Sequence, residues 1–230
     1  MLFNSHKYRE IKTFISDKYQ KTVVIVAISK NHPYKSIQEA ISFGVRVFGE
    51  NRVQEAQEKF FGLKKEHKDI ELHLTGALQT NKVKKALEIF DVFQTLDREK
   101  LAKEFYKFQE KIKEKKFFIQ INIGKEKTKS GIWPEEAGDF IGYCKNDLKM
   151  NIVGLMCIPP YEKNPHEFFQ NMKSIGKLNN VKLLSMGMSD DYEEAIKCGA
   201  DFIRIGTALF GKRKKWKYRS QLTITIQKIP

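Results

Sequence analysis

The 230-residue chain carries 42 Lys+Arg against 28 Asp+Glu, a formal charge of +14, and is 41% hydrophobic, enough to build one large core or two small ones. No window approaches the roughly 18 consecutive apolar residues of a membrane span, and the opening MLFNSHKYREIKTF lacks the apolar centre of a secretory signal, so a soluble cytoplasmic protein is expected. Cys144, Cys157 and Cys198 are odd in number and stand in no metal-ligand spacing, which fits buried or free thiols in a reducing compartment and no metal site.

After a helical stretch at about 5–19, strand-like runs alternate with amphipathic helical ones. The strands are expected at TVVIVAIS (22–29), VRVFGE (45–50), IELHLTG (70–76), DVFQTLD (91–97), KFFIQINI (116–123), NIVGLMCI (151–158), KLLSMG (182–187) and DFIRIG (201–206). Between them lie YKSIQEAISF, RVQEAQEKFFGLKKE, QTNKVKKALEIF, REKLAKEFYKFQEKIKE, PEEAGDFIGYCKN, PHEFFQNMKSIGKL and DYEEAIKC, with no linker rich in Pro, Gly or Ser. Such alternation calls for a parallel sheet covered by crossover helices. Eight βα units in little over 200 residues is the count of a closed (β/α)8 TIM barrel, with an open doubly wound sheet as the alternative. One barrel domain over 1–211, preceded by an extra N-terminal helix, and a basic C-terminal extension over 212–230 are expected. Within the extension, KRKKWKYR (212–219) reads as a solvated segment or a nucleic-acid tail, and QLTITIQ alternates like a strand. The lysines elsewhere are spread out and interleaved with glutamates, without the aromatics of a single-strand binder, so no specific nucleic-acid partner is expected.

Ligands of such barrels sit at the C-terminal mouth, on residues just after each strand. Lys30 follows the first strand, Gly49-Glu50-Asn51 the second, Gly76 the third and Asp97 the fourth. SMGMSDD follows the seventh, and Arg204-Ile205-Gly206-Thr207 closes the eighth. In SMGMSDDYEEAI, Gly187 permits close backbone approach and Ser189 is expected at a helix N-cap, an anion site. Gly206 and Thr207 offer further amides and a hydroxyl; two capped helices without a ligand remain the alternative. A lysine beside a phosphate site can act as a point charge or form a Schiff base with a carbonyl. With Arg204 across the mouth, the set suggests a phosphorylated aldehyde, of which pyridoxal phosphate is the commonest cofactor.

The runs VAISKNHP, FGENRVQEAQEK, HLTGALQTNKVKK, INIGKEKTKSGI, GLMCIPP and LSMGMSDDYEEAIKCGADFIRIGTALFG resemble, in order, the pyridoxal phosphate homeostasis proteins, over roughly residues 5–211. That family looks like the barrel domain of fold-type III alanine racemases standing alone. The resemblance implies a pyridoxal 5'-phosphate-binding barrel in which Lys30 carries the Schiff base (internal aldimine). It further implies that Ser189, Gly206 and Thr207 hold the phosphate, Arg204 faces the pyridine nitrogen, Asn51 lies near the ring, and Met156 walls the pocket. Lys129 of KTKSGI matches a lysine the family places near the site, to which a cofactor-exchange role is given; a plain solvated loop is its alternative. Asn31, Arg52 and Leu72 depart from the family's usual threonine, tyrosine and tryptophan.

Arginine donates to a pyridine nitrogen but cannot accept its proton. This weakens the cofactor as an electron sink, although racemases manage with the same arrangement. Racemases also need a second acid/base group, a tyrosine from a second domain, and this chain ends soon after the barrel. The expected function is therefore a monomeric, non-catalytic carrier that contributes to vitamin B6 homeostasis, with pyridoxal phosphate and possible recipient apo-enzymes as partners. The alternatives are an amino-acid racemase-like enzyme of low activity and a sugar-phosphate barrel using Lys30 as a Schiff-base aldolase lysine. His73 is read as a hydrogen-bonded residue within strand three, and Asp190-Asp191 as complementing the start of a helix.

Overall fold

The computed structural model describes residues 2–19, 22–161 and 163–212, so the extension beyond Lys212, with QLTITIQ, lies outside the described residues. The N-terminal helix α1 (Ser5–Lys18) starts at Asn4, whose side chain accepts the Lys7 amide at 3.0 Å, and buries Ile11 and Ile15 one turn apart. Then follow β1 (Val24–Ile28), α2 (Tyr34–Ser42), β2 (Val47–Glu50), α3 (Val53–Glu66), β3 (Glu71–Leu74), α4 (Val83–Ile89), β4 (Val92–Leu96), α5 (Glu99–Tyr106), α6 (Gln109–Ile112) and β5 (Lys116–Ile121). The chain continues through α7 (Ala137–Gly142), β6 (Ile152–Cys157), α8 (Pro165–Leu178), β7 (Leu183–Ser185), α9 (Tyr192–Lys197), β8 (Phe202–Ile205) and α10 (Thr207–Phe210).

All eight strands pair in parallel with their sequence neighbours, and β1 closes on β8 from Val24↔Phe202 to Ala27↔Ile205. The expected closed (β/α)8 barrel is therefore the observed one. Two expected helices are broken. REKLAKEFYKFQEKIKE divides into α5 and α6 around Lys107–Phe108. PEEAGDFIGYCKN forms a 3-10 turn, the short α7 and a π turn at Tyr143–Asp147, where Gly138 and Gly142 weaken α-helical continuity. No helix among the described residues is long and apolar enough to cross a membrane.

Strand alternation sends one set of side chains outward to the helices and the other into the barrel. The outward set joins the main apolar core, with Phe93 stacked on Phe117 at 5.3 Å between ring centroids and both rings against Phe105. The inward set begins with a small apolar layer of Val92, Phe118 and Met156, with Phe202 packed on it. Gly154 makes room for that layer, because a Cβ there would lie 2.2 Å from Phe118 Cε1. Above this layer the barrel interior turns polar, and that change positions the site.

Candidate functional site

Six polar side chains are linked through the barrel as a directed chain. Buried Arg204 donates from Nη1 to Ser185 Oγ at 2.8 Å and from Nη2 to the Cys157 carbonyl at 2.8 Å. Ser185 Oγ donates to Gln94 Oε1 at 2.7 Å, and Gln94 Nε2 lies 2.7 Å from His73 Nδ1. His73 Nε2 is 2.8 Å from Glu71 Oε1, and Lys116 closes the chain on Glu71 Oε2 at 2.7 Å. Because Gln94 donates to Nδ1, the His73 proton sits on Nε2 and points at Glu71. Burial pulls the His73 pKa down, keeping the ring neutral. The hydrogen bond from His73, with Lys116 behind it, holds Glu71 at about 2. His73 thus occupies the hydrogen-bonded strand position the sequence suggests.

A second buried network fixes the residues around Lys30. Lys59, 2% exposed, lies 2.9 Å from the Ser29 carbonyl, 3.0 Å from Glu50 Oε1 and 2.5 Å from Glu55 Oε1. Ser29 Oγ donates to Glu50 Oε1 at 2.7 Å, and the Asn31 amide donates to Glu55 Oε1 at 2.5 Å. The backbone is therefore held on both sides of Lys30. Asn31 has φ 62°, in the left-handed region that asparagine enters more readily than most residues. Burial pushes the Glu50 carboxyl up to about 7 against the pull of Lys59. Its Oε2 has no hydrogen-bond partner among the described residues. Nothing in the sequence singles out Glu55 and Lys59: their i,i+4 spacing is that of an ordinary solvated pair, and only the burial of that helix face marks them.

A cavity of about 230 Å³ opens at the C-terminal mouth, lined by Lys30, Asn51, Ser189, Arg204, Gly206 and Thr207 together with Ile28, Thr75, Ile158, Met188 and Asp190. Thr75 Oγ1 donates to Asn51 Oδ1 at 3.0 Å, which leaves the amide nitrogen as the donating end of Asn51. Gly76 allows this approach, since a Cβ there would lie 2.5 Å from the Asn51 carbonyl oxygen. Gly187, at φ 89°, turns the loop toward the mouth, and a Cβ would strike that of Ala195 at 2.5 Å. A larger, more open groove of about 570 Å³, which includes Phe3, Lys35, Gln38, Glu39 and Phe43, gathers no comparable set.

Two sequence expectations need correction. Met156 does not line the cavity: it points into the barrel and is fully buried on Val92 and Phe118, and Ile158, two residues on, takes the lining position. Ser189 is not a helix cap: α9 begins at Tyr192 after Asp191, whose Oδ1 accepts the Met188 amide at 2.5 Å. Ser189 lies in the preceding loop and faces the cavity from there. Lys129 stands apart, in an adjoining cavity of about 310 Å³ that shares Asn51, Thr75 and Ile158 with the first. Its ammonium pairs with Glu126 at 2.6 Å, in a loop organised by Asn122, which donates to the Glu126 and Lys129 carbonyls at 2.9 and 3.1 Å.

The donor set fits a small phosphorylated aldehyde. One primary amine, a buried guanidinium, the hydroxyls of Thr75, Ser189 and Thr207 and the glycine-flanked turn at Gly206 face one space, with Asp190 as the single carboxylate in the lining.

Comparison with known proteins shows what the chain is similar to. Residues 5–214 match the family described as alanine racemase, N-terminal domain. The pyridoxal phosphate homeostasis protein of Aquifex aeolicus is 40% identical over 201 residues, covering 83% of this chain and 87% of the relative. That of Haemophilus influenzae is 38% identical over 208 residues, covering 86% and 88%. PipY of Synechococcus elongatus PCC7942, solved with PLP bound, superposes with a TM-score of 0.78 at 31% identity, over 90% of this chain and 99% of that one. Alanine racemase from Corynebacterium glutamicum shares the barrel alone, with a TM-score of 0.68 at 14% identity over 89% of this chain and 59% of that one. The chain belongs to the pyridoxal phosphate homeostasis protein family, within the alanine racemase N-terminal domain class.

Proposed function

We propose that this protein binds pyridoxal 5'-phosphate covalently through Lys30 and acts as a monomeric cytoplasmic carrier, contributing to cofactor homeostasis by keeping the free aldehyde low and yielding it to apo-enzymes. The observation that carries this is the convergence of Lys30, Arg204, Ser189, Gly206 and Thr207 on one cavity, in a chain whose relatives bear the homeostasis name. The bound group supplies an aldehyde that condenses with a primary amine, with loss of water.

Each residue has a stated task. Ser189 and Thr207, with the backbone at Gly206, take the phosphate. Arg204 donates toward the pyridine nitrogen; its Nη groups are occupied by Ser185 and Cys157, so its orientation is fixed before any ligand arrives. Asn51 donates from its amide toward the ring substituents. Lys129, in the adjoining cavity, receives a departing or arriving cofactor. Domain 1–211 performs this function, and 212–230 is an appended basic segment.

Titration of the full chain with pyridoxal phosphate, followed by near-visible absorption, tests the proposal. A saturable 1:1 band is expected in the wild type, weakened in Thr207→Val; absence of any band contradicts it. A racemase-like activity is the second reading, favoured by Asp190, the one carboxylate that shares the lining with Lys30. Exchange of the α-hydrogen of a bound amino acid into solvent, abolished in Asp190→Asn, would select it.

A further inference from the structure

Outside the mouth, three unlike donor atoms meet on the outer helical layer. His166 stands in the first turn of α8, while Glu194 and Cys198 stand one turn apart at α9. His166 Nδ1 lies 2.7 Å from Glu194 Oε1 and 3.7 Å from Cys198 Sγ, and Sγ lies 3.9 Å from the same carboxylate oxygen. In tetrahedral zinc sites, metal–ligand bonds of about 2.0–2.3 Å place the ligand atoms about 3.4–3.6 Å apart. Two edges of this triangle are already near that length. The third, a hydrogen-bonded His–Glu contact, needs to open by about 0.7 Å.

We propose that His166, Glu194 and Cys198 form a zinc-binding site, with the fourth position left to solvent. The mixed N, O and S donors select a borderline-soft ion over magnesium or calcium. The surroundings are graded as such a site requires. Cys198 is buried, His166 is half-exposed and gives entry, and Gln170 Nε2 sits 3.6 Å from the sulfur to donate to a thiolate. Lys197 holds the other oxygen of Glu194 at 3.1 Å and stays there when Oε1 ligates. That lysine and Lys173, which also acts on the Cys198 thiol, are cations that lower the affinity. A bound ion ties α8 to α9, whose first turn directly follows the Ser189–Asp191 loop of the cavity. Cysteine spacing along the chain gives no hint of this site, because two ligands come from a helix turn and the third from another helix.

The site is independent of the cofactor function and is tested with Co2+ as the probe. The full chain is titrated with Co2+ and read as difference spectra, for wild type, Cys198→Ser, His166→Ala and the control Cys144→Ser. The wild type is expected to bind one ion with thiolate-to-cobalt charge transfer and tetrahedral visible bands, both bleached by Zn2+. Cys198→Ser loses the charge transfer, surface His166→Ala binds at least about tenfold more weakly, and Cys144→Ser is unchanged. No thiolate band in the wild type, or a band that survives in Cys198→Ser at unchanged affinity, overturns the site.

Discussion

The two buried polar networks of this barrel solve different problems. The Glu50–Glu55–Lys59 cluster is sealed, gathers one ammonium between two carboxylates, and grips backbone at Ser29 and Asn31. The Arg204–Ser185–Gln94–His73–Glu71 chain is strung out along the barrel and ends at the half-exposed pair of Glu71 and Lys116. Among the described residues it touches backbone where Arg204 reaches the Cys157 carbonyl. The first network places a peptide segment, and with it Lys30. The second orients one guanidinium. The difference teaches that the two cations lining the cavity are positioned in different ways, Lys30 through its main chain and Arg204 through its side chain.

Breaking the sealed cluster should have the larger effect. Lys59→Met leaves two carboxylates buried without their cation and should cost about 3–5 kcal/mol in denaturant unfolding. Adding Glu50→Gln and Glu55→Gln should restore much of that loss; a single variant as stable as wild type would show that Lys59 does not hold the cluster. Gln94→Leu interrupts the chain and should cost about 1–3 kcal/mol, by leaving His73 Nδ1 without a donor and the Ser185 hydroxyl proton without an acceptor. It should also shift the wavelength of a bound-cofactor band, because the Ser185 hydroxyl that orients Arg204 loses its own acceptor, whereas the Lys59 variant should lower the extent of binding.

The pH dependences should run in opposite directions. Glu50 is raised in the fold from its ordinary 4.5 to about 7, so its contribution is full below pH 4.5 and lost as pH rises through 7. Glu71 is lowered to about 2, so its contribution is full above pH 4.5 and lost as pH falls toward 2. His73, buried neutral, likewise loses its contribution as pH falls below 6.5. Relative to wild type, Glu50→Gln should gain stability from pH 4.5 to 7, and Glu71→Gln should lose it from pH 2 to 4.5. Parallel slopes would remove the distinction between the networks. The smallest effect belongs to the exposed Lys103–Glu99 pair, where Lys103→Ala should leave the unfolding midpoint unchanged.

Much of this was legible in the sequence. Apolar strand-like runs alternating with amphipathic helical ones located all eight strands, because each strand is buried between the barrel interior and a covering helix. The mouth residues stood out because a lysine, an arginine and glycine–hydroxyl pairs after strands break the apolar pattern. What escaped was anything set by the direction of a side chain. Met156 looked like a wall residue until the pleat turned it inward, and the strand sequence does not say where the barrel axis lies. Ser189 looked like a cap because the turn before α9 is two residues longer than its pattern implies. Glu55 and Lys59 have the spacing of a solvated pair, and only the packing of α3 against β1 and β2 reveals their burial.

With so many lysines on this chain, a reactive aldehyde could attach almost anywhere, so the most direct test is where it attaches. The protein is equilibrated with one equivalent of pyridoxal phosphate, reduced with borohydride, digested and mapped. Label concentrated on the peptide bearing Lys30, and lost in Lys30→Ala, is the expected result. Label scattered over surface lysines, or unchanged in Lys30→Ala, would contradict the claim that the sealed cluster presents this one amine to the cofactor.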